Sequence, residues 1–208
     1  MNITVSSVAS SYLFALRLMY ALAQFSQAPF YSKIPLISRL YSSGTLNKKL
    51  EIVKRGMSIS YWVFVIGFIL IGLTVESLLK MNTSNIIFVS PLLWVLMGYA
   101  FFAERYGAMH LQLYSVTNHI IWHIVNGISG LIYIFVSFLL FPFINIYAFP
   151  LGILIGYLSF YCWYSAKRSY DAFNLNFVNF ESHTVLKPFI VLSTYSLAVL
   201  VIHSHSFK

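Results

Sequence analysis

The first apolar stretch of the sequence carries polar residues at helical spacing. Reading every third or fourth position gives Ser6, Ser10, Leu13, Arg17, Tyr20, Gln24 and Gln27. An arginine at the centre of a membrane helix costs about 2.5–3.5 kcal/mol, so Arg17 should face protein or a water-filled cavity. Because a guanidinium binds phosphate or carboxylate bidentately, Arg17 and Gln24 are candidates for lining an anion-binding cavity. The alternative is a structural Arg17 that pairs with a carboxylate or reaches an interface.

A second polar stripe opens a later apolar stretch, with His119, His123, Asn126 and Gly130 in register. Two histidines four residues apart have the spacing of metal ligands on one helix turn. However, Ile120 stands where a metalloprotease helix carries glutamate, and no third ligand is evident. We therefore predict no metal, and we expect His119, His123 and Asn126 to line a polar cavity, where they bind substrate or a proton, or to be satisfied by neighbouring helices.

Signatures of catalysis and of cofactor binding are missing from the sequence. It has no glycine-rich phosphate loop, no Ser/His/Asp signature and no acidic metal cluster, and its acidic residues number only five. Glu104 and Arg105 are adjacent, and we expect them to form a local ion pair in an interfacial turn over 104–110. These observations predict a protein without catalytic residues or cofactors that is not an enzyme.

The elements that must position these residues are helices in a lipid bilayer. Charged residues make up 9% of the chain, against about a quarter in soluble domains, so most of its apolar surface must face lipid. Apolar runs long enough to cross a bilayer lie near 5–28, 57–79, 86–103, 118–140, 146–164 and 188–203. The predicted fold is all-α, a single polytopic transmembrane helix bundle with about six spans.

Basic residues between the predicted spans fall mainly on one side. Alternating loops carry six, one and three Lys/Arg on that side, ten in all, against two on the other. The excess of bases marks the cytoplasmic side, which puts the N-terminus outside. Because these bases lie in short loops beside apolar runs, the net charge of +8 does not indicate nucleic acid as a partner.

Several short segments resemble a known family of transporters. These are AQFSQAPFYSKIP at 23–35, RLYSSG at 39–44 with the basic stretch 48–50, YSVTNH at 114–119 and WHIVN at 122–126. Over about residues 5–170 the chain resembles polysaccharide and O-antigen flippases of the Wzx type. These belong to the multidrug/oligosaccharidyl-lipid/polysaccharide (MOP) exporter superfamily.

The resemblance implies a function in surface polysaccharide synthesis. Such flippases have two bundles of about six helices around a cationic cavity, and they move an undecaprenyl-pyrophosphate-linked oligosaccharide across the bacterial inner membrane. By that resemblance this chain would be the C-terminal half, a fragment of a longer two-bundle transporter that works with polysaccharide assembly proteins. Arg17 would contact the pyrophosphate or acidic sugars, and His119, His123 and Asn126 would line the sugar path.

Two other functions stay open at this point. A membrane-embedded glycan polymerase or acyltransferase would use His119 or His123, although the longest loop, about residues 29–56, lacks the cluster of acids, Arg or His expected of such enzymes. A multidrug exporter of the same superfamily should carry an acidic residue within a span. Glu76 and Glu104 lie at the edges of the predicted spans, which favours glycan over drug transport.

Overall fold

The computed structural model describes residues 5–42, 46–81 and 87–205, and over these ranges the chain is helical without strands. The α-helices are α1 (Val5–Tyr31), α2 (Ile34–Ser42), α3 (Leu46–Met81), α4 (Pro91–Ser115), α5 (Trp122–Ile144), α6 (Ala148–Gly156), α7 (Cys162–Phe173), α8 (Phe177–His183) and α9 (Leu186–His205). A 3₁₀ turn, Asn145–Tyr147, joins α5 to α6. A π-helical turn, Tyr157–Tyr161, makes α6 and α7 one continuous rod. The prediction of an all-α fold is confirmed.

Local sequence signals explain several helix ends. At the start of α4, Ser90 accepts a hydrogen bond from the Leu93 amide at 3.3 Å, and Pro91 occupies the first turn, where its missing N–H is not needed. Asn145 and Asn174 end α5 and α7 with φ of 49°. Asn174 has the left-handed helical conformation, with ψ of 49°, whereas ψ of Asn145 is −126°. Asparagine tolerates a positive φ better than other side chains with a Cβ, so it marks helix ends.

Helix α4 is the central helix of the bundle. Sixteen of its 25 residues are buried, and it contacts α1, α3, α6, α7 and α9. Around it, α1 packs on α3, α5 pairs with α6, and α9 packs on α3. Stacked aromatic rings on α3 and α4 form part of the core, with the ring centroids of Phe68 and Trp94 4.6 Å apart. A helix enclosed in this way can carry polar residues without exposing them to lipid.

Among the residues that the structure describes, four stretches are long and apolar enough to cross a membrane by length and composition, namely Val8–Ser42, Leu50–Met81, Trp122–Phe173 and Leu186–Ser204. The third stretch contains α5 and the α6–α7 rod, which turn at Asn145–Tyr147 and pack against each other. Helix α4 is not among the four, although it is 25 residues long.

The expectation of an interfacial turn over 104–110 is wrong. Glu104 and Arg105 lie inside α4, which continues to Ser115, so the apolar run that ends near residue 103 is only part of the helix. Arg105 is buried and paired with Glu104, so the bundle accommodates its charge within the helix. Taking Arg105 out of the loop count leaves nine of the ten bases on the predicted cytoplasmic side, so the asymmetry persists.

Candidate functional site

A concave groove of about 530 Å³ lies between the first and fifth helices, and we call it the α1–α5 groove. Helix α1 contacts α4, α4 contacts α6 and α6 contacts α5, so α1 and α5 form the walls while α4 and the α6–α7 rod form the floor. Its polar lining residues are Gln24, Glu104, Arg105, Asn126 and Ser129. Its aromatic lining residues are Tyr12, Tyr20, Phe101, Tyr133, Phe149 and Tyr157.

The groove runs along most of α1. Its lining begins at Ala9 and recurs every three or four residues to Gln24, so one side of the helix faces it. At 1.5 Å per residue that distance is about 20 Å, a large part of the roughly 30 Å hydrocarbon core of a bilayer. The charged lining residues all lie at the Gln24 end, and the opposite end, around Tyr12, is aromatic and apolar.

Arg105 is the buried cation of the groove. Its side chain is 3% exposed, and its Nη2 donates to both carboxylate oxygens of Glu104, at 2.8 and 2.6 Å. Its Nη1 donates to Oε1 of Gln27 on α1 at 3.1 Å. The ion pair and the amide hold the planar guanidinium between α4 and α1, so its direction is fixed before any ligand arrives.

Two buried polar atoms of the groove lining have no hydrogen-bond partner among the described residues. They are Nε of Arg105 and Oγ of Ser129, whose residue is 2% exposed. A buried polar group without a partner costs about 1–3 kcal/mol. Both residues line the groove, so a polar ligand that reaches either atom recovers part of that cost.

Of the five predicted site residues, the structure places Gln24 and Asn126 in the groove. Asn126 donates to the carbonyl of Trp122 at 2.8 Å, which leaves its side-chain oxygen available. Arg17 is not a lining residue: its side chain is exposed, on the stripe of α1 next to the lining residues Leu13 and Tyr20. Arg17 therefore lies at the rim of the groove, and its anion-binding role stays a prediction.

His119 and His123 are not lining residues of the groove. Asn118 has a positive φ of 63° and α5 begins only at Trp122, so the two histidines do not share a helix turn as their spacing suggested. His119 bonds to the Thr117 carbonyl at 3.0 Å and lines a separate cavity of about 300 Å³. His123 is exposed near the start of α5. Within the described part of the chain, no three His, Cys, Asp or Glu side chains converge as a metal site.

The sequence interpretation missed a buried polar network between α4, α7 and α8. We call it the His110–Glu181 network. His110 is 0% exposed and Glu181 6%, and Nε2 of His110 lies 3.2 Å from Oε1 of Glu181. The same oxygen accepts from the hydroxyls of Tyr106, at 3.2 Å, and Tyr170, while Oε2 accepts from Thr184 at 2.8 Å.

Four donors converge on the Glu181 carboxylate and set its ionisation. Burial by itself raises the pKa of this carboxyl, but hydrogen bonds from His110, Tyr170 and Thr184 outweigh it and lower the pKa below the ordinary value of 4.5. Glu181 is therefore ionised at neutral pH, and it connects the short helix α8 to α4 and α7.

The network resembles a Ser–His–acid arrangement, because Oγ of Ser169 lies 2.6 Å from Nδ1 of His110. Ser169 is 0% exposed, however, and it lines none of the four cavities described for this chain. A nucleophile must reach its substrate, so this geometry favours a structural or proton-holding role for Ser169.

One sequence signal could have pointed to both polar sites. Glu104, Arg105 and His110 fall within one run that also has small residues at Gly98, Ala103 and Gly107. Small residues allow close helix approach, so charges interspersed with them are typical of a helix inside a bundle.

The comparisons with known proteins identify no relative: no protein-family profile, no curated protein and no solved structure matches this chain.

Proposed function

We propose that the chain is a multi-pass protein of a bacterial inner membrane that crosses the bilayer about six times, with α4 as an enclosed span. The support is the four apolar stretches, the length and burial of α4, and the asymmetry of the basic residues. In this topology α1 starts outside, and α2 and α8 lie on the cytoplasmic side.

We further propose that the α1–α5 groove binds an amphipathic anion, an undecaprenyl-pyrophosphate-linked oligosaccharide, for transfer between leaflets. The observation that carries this proposal is Arg105, which lines the groove and whose buried Nε has no hydrogen-bond partner among the described residues. The groove extends over about 20 Å, a large part of the hydrocarbon core. Phosphate oxygens accept from a guanidinium, tyrosine rings and side-chain amides suit sugars, and the apolar end suits a polyprenyl chain.

The charge balance of the groove sets the strength expected of this site. Glu104 neutralises most of the charge of Arg105, so the lining has little net charge, and Arg17 at the rim provides the excess cation. A charge-assisted hydrogen bond contributes about 1.5–3 kcal/mol, which corresponds to about 10- to 100-fold in affinity. Completion of the cavity by a second bundle, as in the two-bundle flippases that the sequence resembles, is part of the same proposal.

Binding can be tested on the purified chain in lipid nanodiscs with a short prenyl pyrophosphate and, as the matched probe, the prenyl alcohol of the same length. We expect the pyrophosphate to bind more tightly. Arg105→Ala should weaken its binding about 10- to 100-fold, and Arg105→Lys should weaken it less. Arg168→Ala, a cation outside the groove, is the control. Equal binding of both probes, or pyrophosphate binding that is unchanged in Arg105→Ala, contradicts the proposal.

The transport step is tested in cells that depend on this protein for surface polysaccharide. Arg17→Ala should abolish the polysaccharide while the protein stays in the membrane, since the rim cation guides the pyrophosphate into the groove. Normal polysaccharide in that variant removes Arg17 from the substrate path and leaves Arg105 to carry the charge recognition.

A multidrug exporter is the second candidate, and Glu104 is the observation that favours it. The sequence placed Glu104 at the edge of a span, but it lies inside α4 and lines the groove. A carboxylate there can attract a lipophilic cation. Tetraphenylphosphonium distinguishes the two functions: binding that Glu104→Gln removes supports the exporter, and absence of binding supports the anionic substrate.

A further inference from the structure

The positions of the heavy atoms in the His110–Glu181 network are compatible with two different placements of the hydrogen atoms. Oγ of Ser169 lies within hydrogen-bond distance of both Nδ1 of His110, at 2.6 Å, and the carbonyl of Ala166, at 2.9 Å. When the Ser169 hydroxyl donates to Ala166, its oxygen accepts from Nδ1–H. When the hydroxyl rotates, it donates to a bare Nδ1 instead.

The other ring nitrogen of His110 faces a carboxylate, which only accepts. Nε2 therefore carries hydrogen in both arrangements, and the two arrangements differ by one proton on Nδ1. With that proton His110 is an imidazolium and neutralises the buried Glu181. Without it the carboxylate is held by neutral donors alone, and an uncompensated buried charge is costly.

The groups around the pair do not replace the missing charge. From α4 and α7 the titratable neighbours are Tyr106 and Tyr170, which act as hydroxyl donors. From α3, Tyr61 is buried near Glu181, and Lys54 donates to Oδ1 of Asn179 on α8 at 3.2 Å. On α8 itself, His183 is exposed and bonds to the carbonyl of Asn179.

We propose that the His110–Glu181 network is a proton-binding site that latches α8 onto α4 and α7, closed when His110 is an imidazolium and weakened when it is neutral. On release, the N–H bond at Nδ1 breaks, the proton goes to water, and the lone pair of Nδ1 accepts from Ser169. By linkage, a form that binds a proton more tightly is favoured as pH falls and disfavoured as pH rises. The residues of this latch are not lining residues of the groove.

The latch has a direct consequence for α4, which carries both sites. Tyr106 and His110 belong to the network, while Glu104 and Arg105, which directly precede Tyr106, line the groove. The π-helical turn Tyr157–Tyr161 joins the groove residue Tyr157 to the helix that carries Ser169 and Tyr170. Proton binding at the latch is therefore positioned to act on the polar end of the groove through α4 and the α6–α7 rod.

Hydrogen–deuterium exchange of α8 amides tests the latch in the full chain in nanodiscs at about pH 6 and about pH 8. Expressing the data as protection factors removes the intrinsic pH dependence of exchange. We expect lower protection at the higher pH, with a change of up to about tenfold per pH unit because one proton is linked. Equal protection of α8 at both pH values would overturn the proposal.

Variants assign the effect to His110. His110→Gln keeps a donor for Glu181 without titrating, so α8 protection should lose its pH dependence. His183→Gln and His123→Gln, which change exposed histidines, should keep it. Ser169→Ala removes the acceptor of Nδ1–H and should shift the release of α8 to lower pH, which keeps the test decisive if His110→Gln does not fold. A pH dependence that survives His110→Gln, or is lost in His183→Gln, refutes the assignment.

Discussion

The close approach of α5 and α6 gives the sharpest quantitative prediction. A Cβ on Gly156 would lie 2.8 Å from the backbone carbonyl oxygen of Ser129 and 3.2 Å from the Cβ of Tyr133. An ordinary contact needs at least 3.4 Å, so Gly156→Ala must push the two helices apart by about 0.6 Å. The obstacle is backbone, which cannot rotate away, so overpacking should cost about 1–3 kcal/mol.

A glycine-to-alanine substitution at an open position should have the opposite effect on stability. A Cβ on Gly127 meets nothing within 4 Å, and alanine is favoured over glycine in a helix by about 1 kcal/mol, so Gly127→Ala should stabilise. Subtracting that gain leaves Gly156→Ala less stable than the native chain by up to about 2 kcal/mol. For a chain of this size 1 kcal/mol corresponds to about 2–4 °C in Tm.

The assay is thermal unfolding of the purified variants in one detergent, followed by loss of monodisperse protein. Gly156→Ala should lower Tm and Gly127→Ala should raise it, because both make the same chemical change in different surroundings. A Gly156→Ala protein as stable as Gly127→Ala would show that α5 and α6 do not pack at this distance. The arrangement of these two helices around the groove would then be wrong.

Three further predictions concern single sites. Arg17→Leu should leave Tm unchanged or raised, whereas Arg105→Leu should lower Tm at a cost of up to about 3 kcal/mol in stability, since it leaves the partly buried carboxylate of Glu104 without its partner; similar Tm values for both would place the two arginines in similar surroundings. The lowered pKa of Glu181 predicts stabilisation that is complete above its ordinary value of 4.5 and is lost as pH falls through the folded-state pKa; in Glu181→Gln, the drop of Tm at acid pH should shrink. Gly107→Ala would overlap the buried ring of Tyr161, so its Tm should fall as in Gly156→Ala, and an unchanged Tm would contradict the packing of α4 on the π-helical turn.

For much of the candidate site, the sequence predicted the types of residue but not which residues they are. The sequence indicated a cavity that an arginine shares with side-chain amides, and Gln24 and Asn126 do line the groove. It selected Arg17 because that residue lies near the middle of an apolar run, on a polar face of the predicted helix. It set Arg105 aside because an adjacent glutamate made the pair look like a surface turn. Burial decides between these two arginines, and burial depends on which helices surround α4, a property that no local pattern records.

By itself, the sequence determined the helical class and the membrane character of the chain, because both follow from the length and composition of apolar runs. The distribution of basic residues set the predicted sidedness in the same way. Tertiary structure alone decided that His119 and His123 are apart, that α4 is the central helix, and that His110 meets Glu181 across 71 positions of sequence. The physical reason is that apolar periodicity reports how one helix meets lipid or protein, whereas polar pairing inside a bundle depends on helices distant in sequence packing side by side.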